Sequence, residues 1–153
     1  MAKNQTLKIT EMDRYLFGQG THYEIYKLMG AHPTKQKGKD GVYFAVWAPR
    51  AQEVAVVGDF NGWDPNENIM KCDNDMGIYQ LFIPGVKSGD LYKFCITSPS
   101  GELLYKADPY ANYAEKRPGN ASRVYDITNF KWNDSVWMKN RQNYDVNKNA
   151  MSI

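Results

Sequence analysis

The sequence predicts an all-β fold, an immunoglobulin-like antiparallel β-sandwich with a short N-terminal helical segment and a C-terminal linker. Short runs of apolar, β-favouring residues recur through the middle of the chain, and turn-forming residues separate each run from the next. No amphipathic segment of helical length lies between these runs. Parallel strands need a crossover connection of about a dozen residues or more, usually a helix, so we expect antiparallel neighbours.

The N-terminal segment, residues 1–40, contains one predicted helix, over Thr21–Met29. Thr21 is followed three positions later by Glu24, and this pair can satisfy free backbone N–H groups at the start of a helix. Three apolar residues then follow at helical spacing, before a glycine and a proline end the helix. These residues are Ile25, Leu28 and Met29, then Gly30 and Pro33. A helix with one apolar stripe has to pack on another element, so we expect it outside the sandwich.

The central module, residues 41–127, contains six predicted strands. Val, Ile and aromatic residues dominate them, and such side chains suit a pleated, half-buried surface. Glycine, proline, asparagine and serine lie in the connections, where they favour turns. The predicted strands are Val42–Trp47, Val54–Gly58, Ile78–Ile83, Leu91–Thr97, Glu102–Tyr105 and Arg123–Ile127.

Two of these strands also predict which faces are buried. Val42–Trp47 is apolar on both faces, so both faces should be covered. Leu91–Thr97 alternates, so one face should point to the core and the other outward. The core-facing residues would be Tyr92, Phe94 and Ile96, and the outward-facing residues Lys93, Cys95 and Thr97.

The last segment, residues 128–153, is predicted to be a linker. Asp134 can cap a short helix, after which Asn140–Asn149 is polar. The helix would carry Val136, Trp137 and Met138. Apolar residues return at Met151–Ile153, as they would ahead of another structural element. We expect this tail to be mobile unless a partner is present.

Composition and motifs argue against several classes of function. The chain has 153 residues and a net charge of +2, too small to indicate a nucleic-acid or anionic-membrane partner. No apolar run approaches the ~20 residues of a membrane-spanning helix, and the N-terminus lacks the apolar stretch of a secretory signal. We therefore expect a cytoplasmic protein without a membrane or nucleic-acid partner.

Cysteine and histidine form no pattern typical of a metal site or a catalytic triad. Cys72 and Cys95 are the only cysteines, and without an export signal they are expected to be reduced thiols. His22 and His32 have no cysteine or carboxylate at ligand spacing. We expect no metal and no cofactor.

The loop after the second predicted strand carries the most prominent candidate functional residue, Trp63. In the sequence VAVVGDFNGWDP, an apolar run stops at Gly58-Asp59 and is followed by Asn61-Gly62, two residues that tolerate positive φ and favour a turn. A tryptophan at the exit of such a turn can pack back into the core or present its flat face to a ligand. The sequence leaves both alternatives open.

An ordered set of motifs resembles the N-terminal part of bacterial 1,4-α-glucan (glycogen) branching enzymes. Each motif is weak alone, but together they cover nearly the whole chain. They are Arg14–His22 (RYLFGQGTH), Gly30–Pro33 (GAHP), Val46–Ala51 (VWAPRA), Val57–Asp64 (VGDFNGWD), Tyr92–Phe94 (YKF), Lys106–Ala111 (KADPYA) and Met151–Ile153 (MSI).

The resemblance implies a non-catalytic role in glycogen biosynthesis. In that family this region includes an immunoglobulin-like module that binds starch and glycogen, so the expected ligands are α-1,4-glucans, glycogen and maltooligosaccharides. Met151–Ile153 resembles the start of the first strand of the catalytic α-amylase-type barrel. That barrel would be the partner of the module within one polypeptide.

The resemblance also implies a set of sugar-binding residues. Sugars present C–H-rich faces and hydroxyls, so a site needs flat aromatic platforms with amide or ammonium donors beside them. The resemblance places the main platform at Trp63 and a lysine at Lys93, whose strand alternation independently turns it outward. Tyr105 is the best substitute for a second tryptophan that the family has near this position. Asn61, beside the platform, and Asn120, in a late loop, are further candidates.

We expect no catalytic residues in this chain. A (β/α)₈ barrel needs about 200 residues or more, and the paired carboxyl groups of a retaining mechanism would belong to that barrel. The aspartates here lie mostly in predicted turns and strand ends, where turn chemistry accounts for them. Three functions stay open: a glucan-binding module, a structural spacer that docks on the barrel, and an immunoglobulin-like protein-interaction domain.

Overall fold

The computed structural model describes residues 7–73, 76–143, 145 and 148, and these residues contain nine strands and two α-helices. The helices are α1 (Glu11–Gly18) and α2 (Ser135–Arg141). The strands are β1 (Gly30–Gln36), β2 (Lys39–Trp47), β3 (Glu53–Gly58), β4 (Lys71–Asp73), β5 (Ile78–Pro84), β6 (Leu91–Thr97), β7 (Leu103–Lys106), β8 (Tyr113–Ala114) and β9 (Ser122–Arg123). Short 3₁₀ turns lie at Ile25–Lys27, Asp59–Asn61 and Ile127–Asn129.

The strands form two antiparallel sheets. The four-stranded sheet has the order β1-β2-β5-β4, and the five-stranded sheet has the order β3-β6-β9-β8, with β7 also paired to β6. Every strand pair within the described residues is antiparallel. The predicted all-β, immunoglobulin-like sandwich is therefore confirmed.

The main core lies between the two sheets. Phe44 of β2 meets Tyr92 of β6 edge to face, with ring centroids 5.1 Å apart, and Phe94 continues the cluster. Each large side chain buried in this way contributes about 1.5–3 kcal/mol. The predicted core face of β6 is confirmed, because Tyr92 and Phe94 are buried and Ile96 packs against the same cluster.

Strand β2 is covered on both faces, as its apolar sequence predicts. Val42, Phe44 and Val46 point into the main core. Tyr43 and Ala45 point the other way, into a second cluster that the N-terminal segment closes. That cluster also contains Ile9, Met29 and Ile78. The N-terminal segment therefore lies against the outer face of the four-stranded sheet.

The predicted helix over Thr21–Met29 is wrong. Only Ile25–Lys27 forms a 3₁₀ turn, and the carboxylate of Glu24 accepts a hydrogen bond from Lys27 instead of capping the backbone. The helix lies earlier, at α1, where the Thr10 hydroxyl accepts from the backbone N–H of Asp13 at 3.2 Å. The predicted window failed because the Thr21 hydroxyl donates to the carbonyl of Leu16 at 3.4 Å, so neither member of the expected capping pair bonds the backbone N–H groups of that window.

Strands β1, β4 and β8 were not predicted. β1 lies within the segment assigned to residues 1–40, and its sequence, GAHPTKQ, has few β-favouring residues. It is an edge strand, where Pro33 is tolerated and pairing with β2 outweighs local propensity. The predicted strand Arg123–Ile127 is also shorter than expected, since only Ser122 and Arg123 pair. The domain boundaries at residues 40 and 127 remain predictions.

The short C-terminal helix is confirmed as α2, which begins directly after Asp134 as predicted. Asp134 precedes it but makes no capping hydrogen bond with its side chain. The predicted polar linker is described only to residue 143 and at residues 145 and 148, and Met151–Ile153 lies outside the described residues.

Candidate functional site

The candidate site occupies the outer face of the five-stranded sheet, on strands β3, β6 and β7. Residues directly opposite in antiparallel strands point to the same face. Cys95 lies opposite both Ala55 and Tyr105, and Lys93 lies opposite Val57. These side chains point away from the main core because they alternate with the buried Tyr92 and Phe94 of β6.

Trp63 packs onto this outer face. Its side chain covers Ala55, Val57 and Cys95, which form a small cluster separate from the core between the sheets. The residue is partly exposed. Trp63 therefore combines features of both alternatives: one side of the ring packs against the sheet, and part of its surface stays in solvent.

The loop that holds Trp63 is ordered by its own hydrogen bonds. The Asn61 side chain accepts from the backbone N–H of Gly58 at 2.9 Å and donates to the carbonyl of Val56 at 3.0 Å. The backbone N–H of Trp63 donates to the carbonyl of Gly58 at 3.1 Å. Positive φ falls on Gly62 (61°) and on Trp63 (64°), and Asn61 belongs to the 3₁₀ turn. The turn residues predicted from the sequence are thus displaced by one position.

Two neighbouring residues tie the same loop to the rest of the sheet. The Asp59 carboxylate accepts from the backbone N–H of Leu91 at 3.0 Å, which joins the end of β3 to the start of β6. Phe60 points inward, with its ring centroid 6.2 Å from that of Phe44. Gly58 allows this close approach, since a Cβ there would lie 2.2 Å from the carbonyl oxygen of Leu91.

Lys93 is joined to Asn120 across the sheet face. Its ammonium donates to the Asn120 side-chain oxygen at 2.5 Å. The loop that carries Asn120 is closed by Glu115, which accepts from the backbone N–H of Ala121 at 3.1 Å. The backbone N–H of Glu115 in turn donates to the carbonyl of Ala121 at 2.9 Å. Sequence reasoning missed Glu115, because only the folded loop brings it to Ala121.

Tyr105 lies beside Cys95 and is 46% exposed. Partial burial and the neighbouring thiol raise the pKa of Tyr105, so its hydroxyl is protonated at neutral pH. Burial likewise raises the pKa of the Cys95 thiol, although a hydrogen bond with Tyr105 opposes this shift. Cys95 therefore acts as a buried apolar residue beneath the site and not as a reactive thiolate.

Four of the five predicted site residues share this face: Trp63, Lys93, Tyr105 and Asn120. The fifth, Asn61, uses both ends of its amide to hold the loop beneath Trp63. The arrangement places an indole and a phenol near an ammonium and an amide group. Within the described residues, no cluster of three or more His, Cys, Asp or Glu side chains could hold a metal ion. No helix in that part of the chain is long and apolar enough to span a membrane.

An immunoglobulin-like sandwich with exposed aromatic rings and polar donors on one outer face is an arrangement typical of carbohydrate-binding modules. The family described as carbohydrate-binding module 48 (isoamylase N-terminal domain) matches residues 28–111, more than half of the chain. The chain belongs to this family. The match includes Trp63, Lys93 and Tyr105, and Asn120 lies beyond it.

The chain is also similar to longer curated proteins. It is 58% identical over 150 residues to a 1,4-alpha-glucan branching enzyme of Butyrivibrio fibrisolvens, an alignment covering 98% of this chain and 24% of the relative. It is 53% identical over 137 residues to a branching enzyme of Halothermothrix orenii, covering 90% of this chain and 22% of the relative. The chain thus spans about a quarter of the length of these relatives.

Solved structures support the same fold. A maltotriose complex of PulA from Klebsiella pneumoniae matches with a TM-score of 0.51 and 28% identity, over 64% of this chain and 11% of that one. A putative alpha amylase from Salmonella typhimurium matches with a TM-score of 0.52 and 26% identity, over 71% of this chain and 16% of that one.

Proposed function

We propose that this chain is the non-catalytic α-1,4-glucan-binding module of a 1,4-α-glucan branching enzyme that acts in glycogen biosynthesis. The observation that carries the proposal is the juxtaposition of Trp63, Tyr105 and the Lys93–Asn120 pair on one exposed sheet face. Family membership and the similarity to branching enzymes along nearly the whole chain support the parent enzyme. A cytoplasmic location remains a prediction.

In this proposal, Trp63 stacks on the C–H-rich face of one glucose unit. The hydrogen-bonded loop beneath it keeps the indole in place, so little conformational entropy is lost on binding. Lys93 and the amide nitrogen of Asn120 donate to sugar hydroxyls, and Tyr105 offers a smaller second surface. We assign Asn61 to holding the loop. A shallow site of this kind suggests a dissociation constant on the order of 0.1–1 mM, or ~4–5.5 kcal/mol.

Trp63→Ala should remove most of the glucan affinity. Loss of one stacking platform costs ~1–3 kcal/mol by analogy with stacking on other flat ligands, which takes millimolar binding close to the detection limit. The measurement is an NMR titration with maltoheptaose, together with retardation on a native gel that contains glycogen. The matched control is Trp132→Ala, since Trp132 is 78% exposed and belongs to the segment between β9 and α2. A folded Trp63→Ala variant that binds like the parent would place the site elsewhere.

We also propose that the C-terminal part of the chain packs on the catalytic barrel of the same polypeptide. Tyr110, Trp132 and Trp137 are 37%, 78% and 60% exposed, and large exposed aromatic residues are typical of interfaces. The chain covers only about a quarter of its relatives, so a large partner in the same polypeptide is available to cover them.

The two other functions left open by the sequence predict different results on the glycogen gel. A structural spacer and a protein-interaction domain would both migrate without retardation. A spacer would gain stability in a longer polypeptide that includes the barrel, and an independent interaction domain would not.

A further inference from the structure

A second pair of aromatic rings lies on the five-stranded sheet, outside the predicted site. Tyr113 in β8 and Tyr125 just after β9 are stacked, with ring centroids 5.2 Å apart and ring planes at 26°. Tyr113 is 52% exposed and Tyr125 is 44% exposed. We refer to these two residues as the tyrosine pair.

The register of the sheet places Tyr113 on the same outer face as Lys93. Leu91 lies opposite Arg123, and Arg123 lies opposite Tyr113, so the three side chains share one face. Leu91 is two residues from Lys93 along β6, and residues two apart in a strand point the same way. Tyr113 therefore belongs to the face that carries Trp63.

Burial along β9 assigns Tyr125 to the same face. Along residues 122–125, burial alternates: Ser122 and Val124 are buried, whereas Arg123 is partly exposed and Tyr125 is exposed. This alternation continues the period of two past the end of the strand. The stacking of Tyr125 on Tyr113 agrees with this placement.

Polar side chains lie beside the tyrosine pair. An open concavity beside the pair is lined by Ser88, Gly89, Lys116 and Arg123. The guanidinium of Arg123 donates to the carbonyl of Gly89 at 2.7 Å, and both residues line this concavity. Flat rings beside hydroxyl and cationic donors suit a sugar better than they suit an apolar ligand.

The two platforms lie at a distance that one extended ligand can span. Cys95, beneath Trp63, and Leu91, in the row of Tyr113, are four positions apart, which is about 13 Å along β6. Strand β8 lies two strand spacings, about 10 Å, to the side of β6, so the platforms are roughly 16 Å apart. Lys93 lies midway between them, and its Asn120 partner belongs to the loop that leads into β9. The polar pair thus lies between two aromatic platforms on one continuous face.

We infer that the tyrosine pair is a second α-glucan platform, which binds further glucose units of the chain held at Trp63. The inference rests on the proposed function and deepens it. The shared face, the donors and the intervening Lys93–Asn120 pair favour a glucan as occupant over another part of the polypeptide.

The test is an NMR titration of the ¹⁵N-labelled chain with maltotriose and with maltoheptaose. In the parent, maltoheptaose should shift the backbone amide signals of Tyr113 and Tyr125 together with that of Trp63. Tyr113→Ala should weaken maltoheptaose binding about 3–10-fold, as expected for the loss of one ring contact, and leave the maltotriose shifts at Trp63 unchanged. Tyr113→Phe keeps the ring and should bind like the parent.

Two further variants distinguish a loss of the ring contact from a loss of the fold. Tyr125→Ala changes the pair outside the short strand β8 and should weaken maltoheptaose binding to a similar extent. Tyr23→Ala is the matched control, because Tyr23 is 86% exposed and belongs to the N-terminal segment on the other sheet. It should leave binding unchanged.

The outcomes separate the inference from the proposed function. If Trp63 signals shift while those of the tyrosine pair do not, and both alanine variants bind like the parent, the inference is wrong and the proposed function stands. If no signal shifts, both fail. If Tyr113→Ala lowers the melting temperature of the longer enzyme and leaves its maltoheptaose affinity unchanged, the pair is an interdomain contact and the inference is wrong.

Discussion

The indole of Trp63 has a structural role as well as its proposed binding role. It covers Cys95, which is only 2% exposed, and two small apolar residues of β3. A ring held in this way needs no rearrangement to meet a flat ligand. The same contact makes the placement of Trp63 testable without any sugar.

Trp63→Ala should expose the Cys95 thiol. We expect the rate of Cys95 alkylation to rise roughly tenfold or more, because removal of the indole changes the solvent accessibility of the thiol more than its thiolate fraction. Peptide mapping by mass spectrometry would follow each thiol, with the partly exposed Cys72 as internal reference. Trp132→Ala should leave both rates unchanged. An unaltered Cys95 rate in a folded Trp63→Ala variant would contradict the packing described above.

Asp108 is a buried carboxyl group that makes stability depend on pH. It accepts hydrogen bonds from the Tyr92 hydroxyl at 2.5 Å and from the backbone N–H of Tyr110 at 2.8 Å. Desolvation raises the pKa of Asp108 above its ordinary 3.8, and these hydrogen bonds only partly oppose the shift. The folded state therefore favours the protonated form. The contribution of Asp108 to the free energy of unfolding is full below pH 3.8 and is lost as pH rises through the raised pKa.

Asp108→Asn should remove this dependence. The amide can still accept from Tyr110 and can donate to the Tyr92 oxygen, so the fold should persist. We expect the stability of the parent relative to the variant to increase as pH falls from about 7 to 4. Urea unfolding at several pH values would measure the difference. A difference independent of pH would mean that the carboxyl group is not desolvated as described.

At the scale of elements, the internal hydrogen bonds of the loop over residues 58–63 come mainly from the Asn61 side chain. Asn61→Ala leaves the backbone N–H of Gly58 and the carbonyl of Val56 without their partner. We expect a loss of about 1–3 kcal/mol in the free energy of unfolding. Asn66→Ala is the matched control, because the Asn66 side-chain amide donates to the exposed Asp64 carboxylate. This substitution should lower the free energy of unfolding by less than ~0.5 kcal/mol. Equal losses in urea unfolding would argue against the role given to Asn61.

At the scale of the whole molecule, the exposed C-terminal aromatic residues predict a context-dependent mutation. Trp137→Ala should change the stability of this chain by less than ~0.5 kcal/mol, because the ring is 60% exposed. In a longer polypeptide that includes the barrel, it should cost about 2 kcal/mol or more, as for a buried large side chain. Differential scanning calorimetry of both proteins would compare the two, with Tyr23→Ala as control. Similar effects in both would place Trp137 within the module alone.

Local signals predicted the central strands well. β6 begins and ends where the alternation of Leu91–Thr97 begins and ends, and β2 is buried on both faces as its composition requires. The loop at Trp63 was recognised from Asn61-Gly62, although positive φ falls one residue later. These features depend on side-chain pattern and turn chemistry within a few residues, which is information that a sequence carries directly.

The rest was decided by contacts between distant residues. β1 exists because β2 offers it a partner. The helix predicted over Thr21–Met29 is absent because Thr21 bonds the carbonyl of Leu16 in α1 instead of capping a helix of its own. The sequence identified Lys93 and Asn120 separately, but their hydrogen bond depends on β9 lying beside β6. The tyrosine pair likewise forms only through the register of β8 and β9. Strand pattern and turn residues thus determined the class of fold and the candidate platform, because both are local properties. Pairing between remote strands decided which residues share a face, because register is set by the whole sheet.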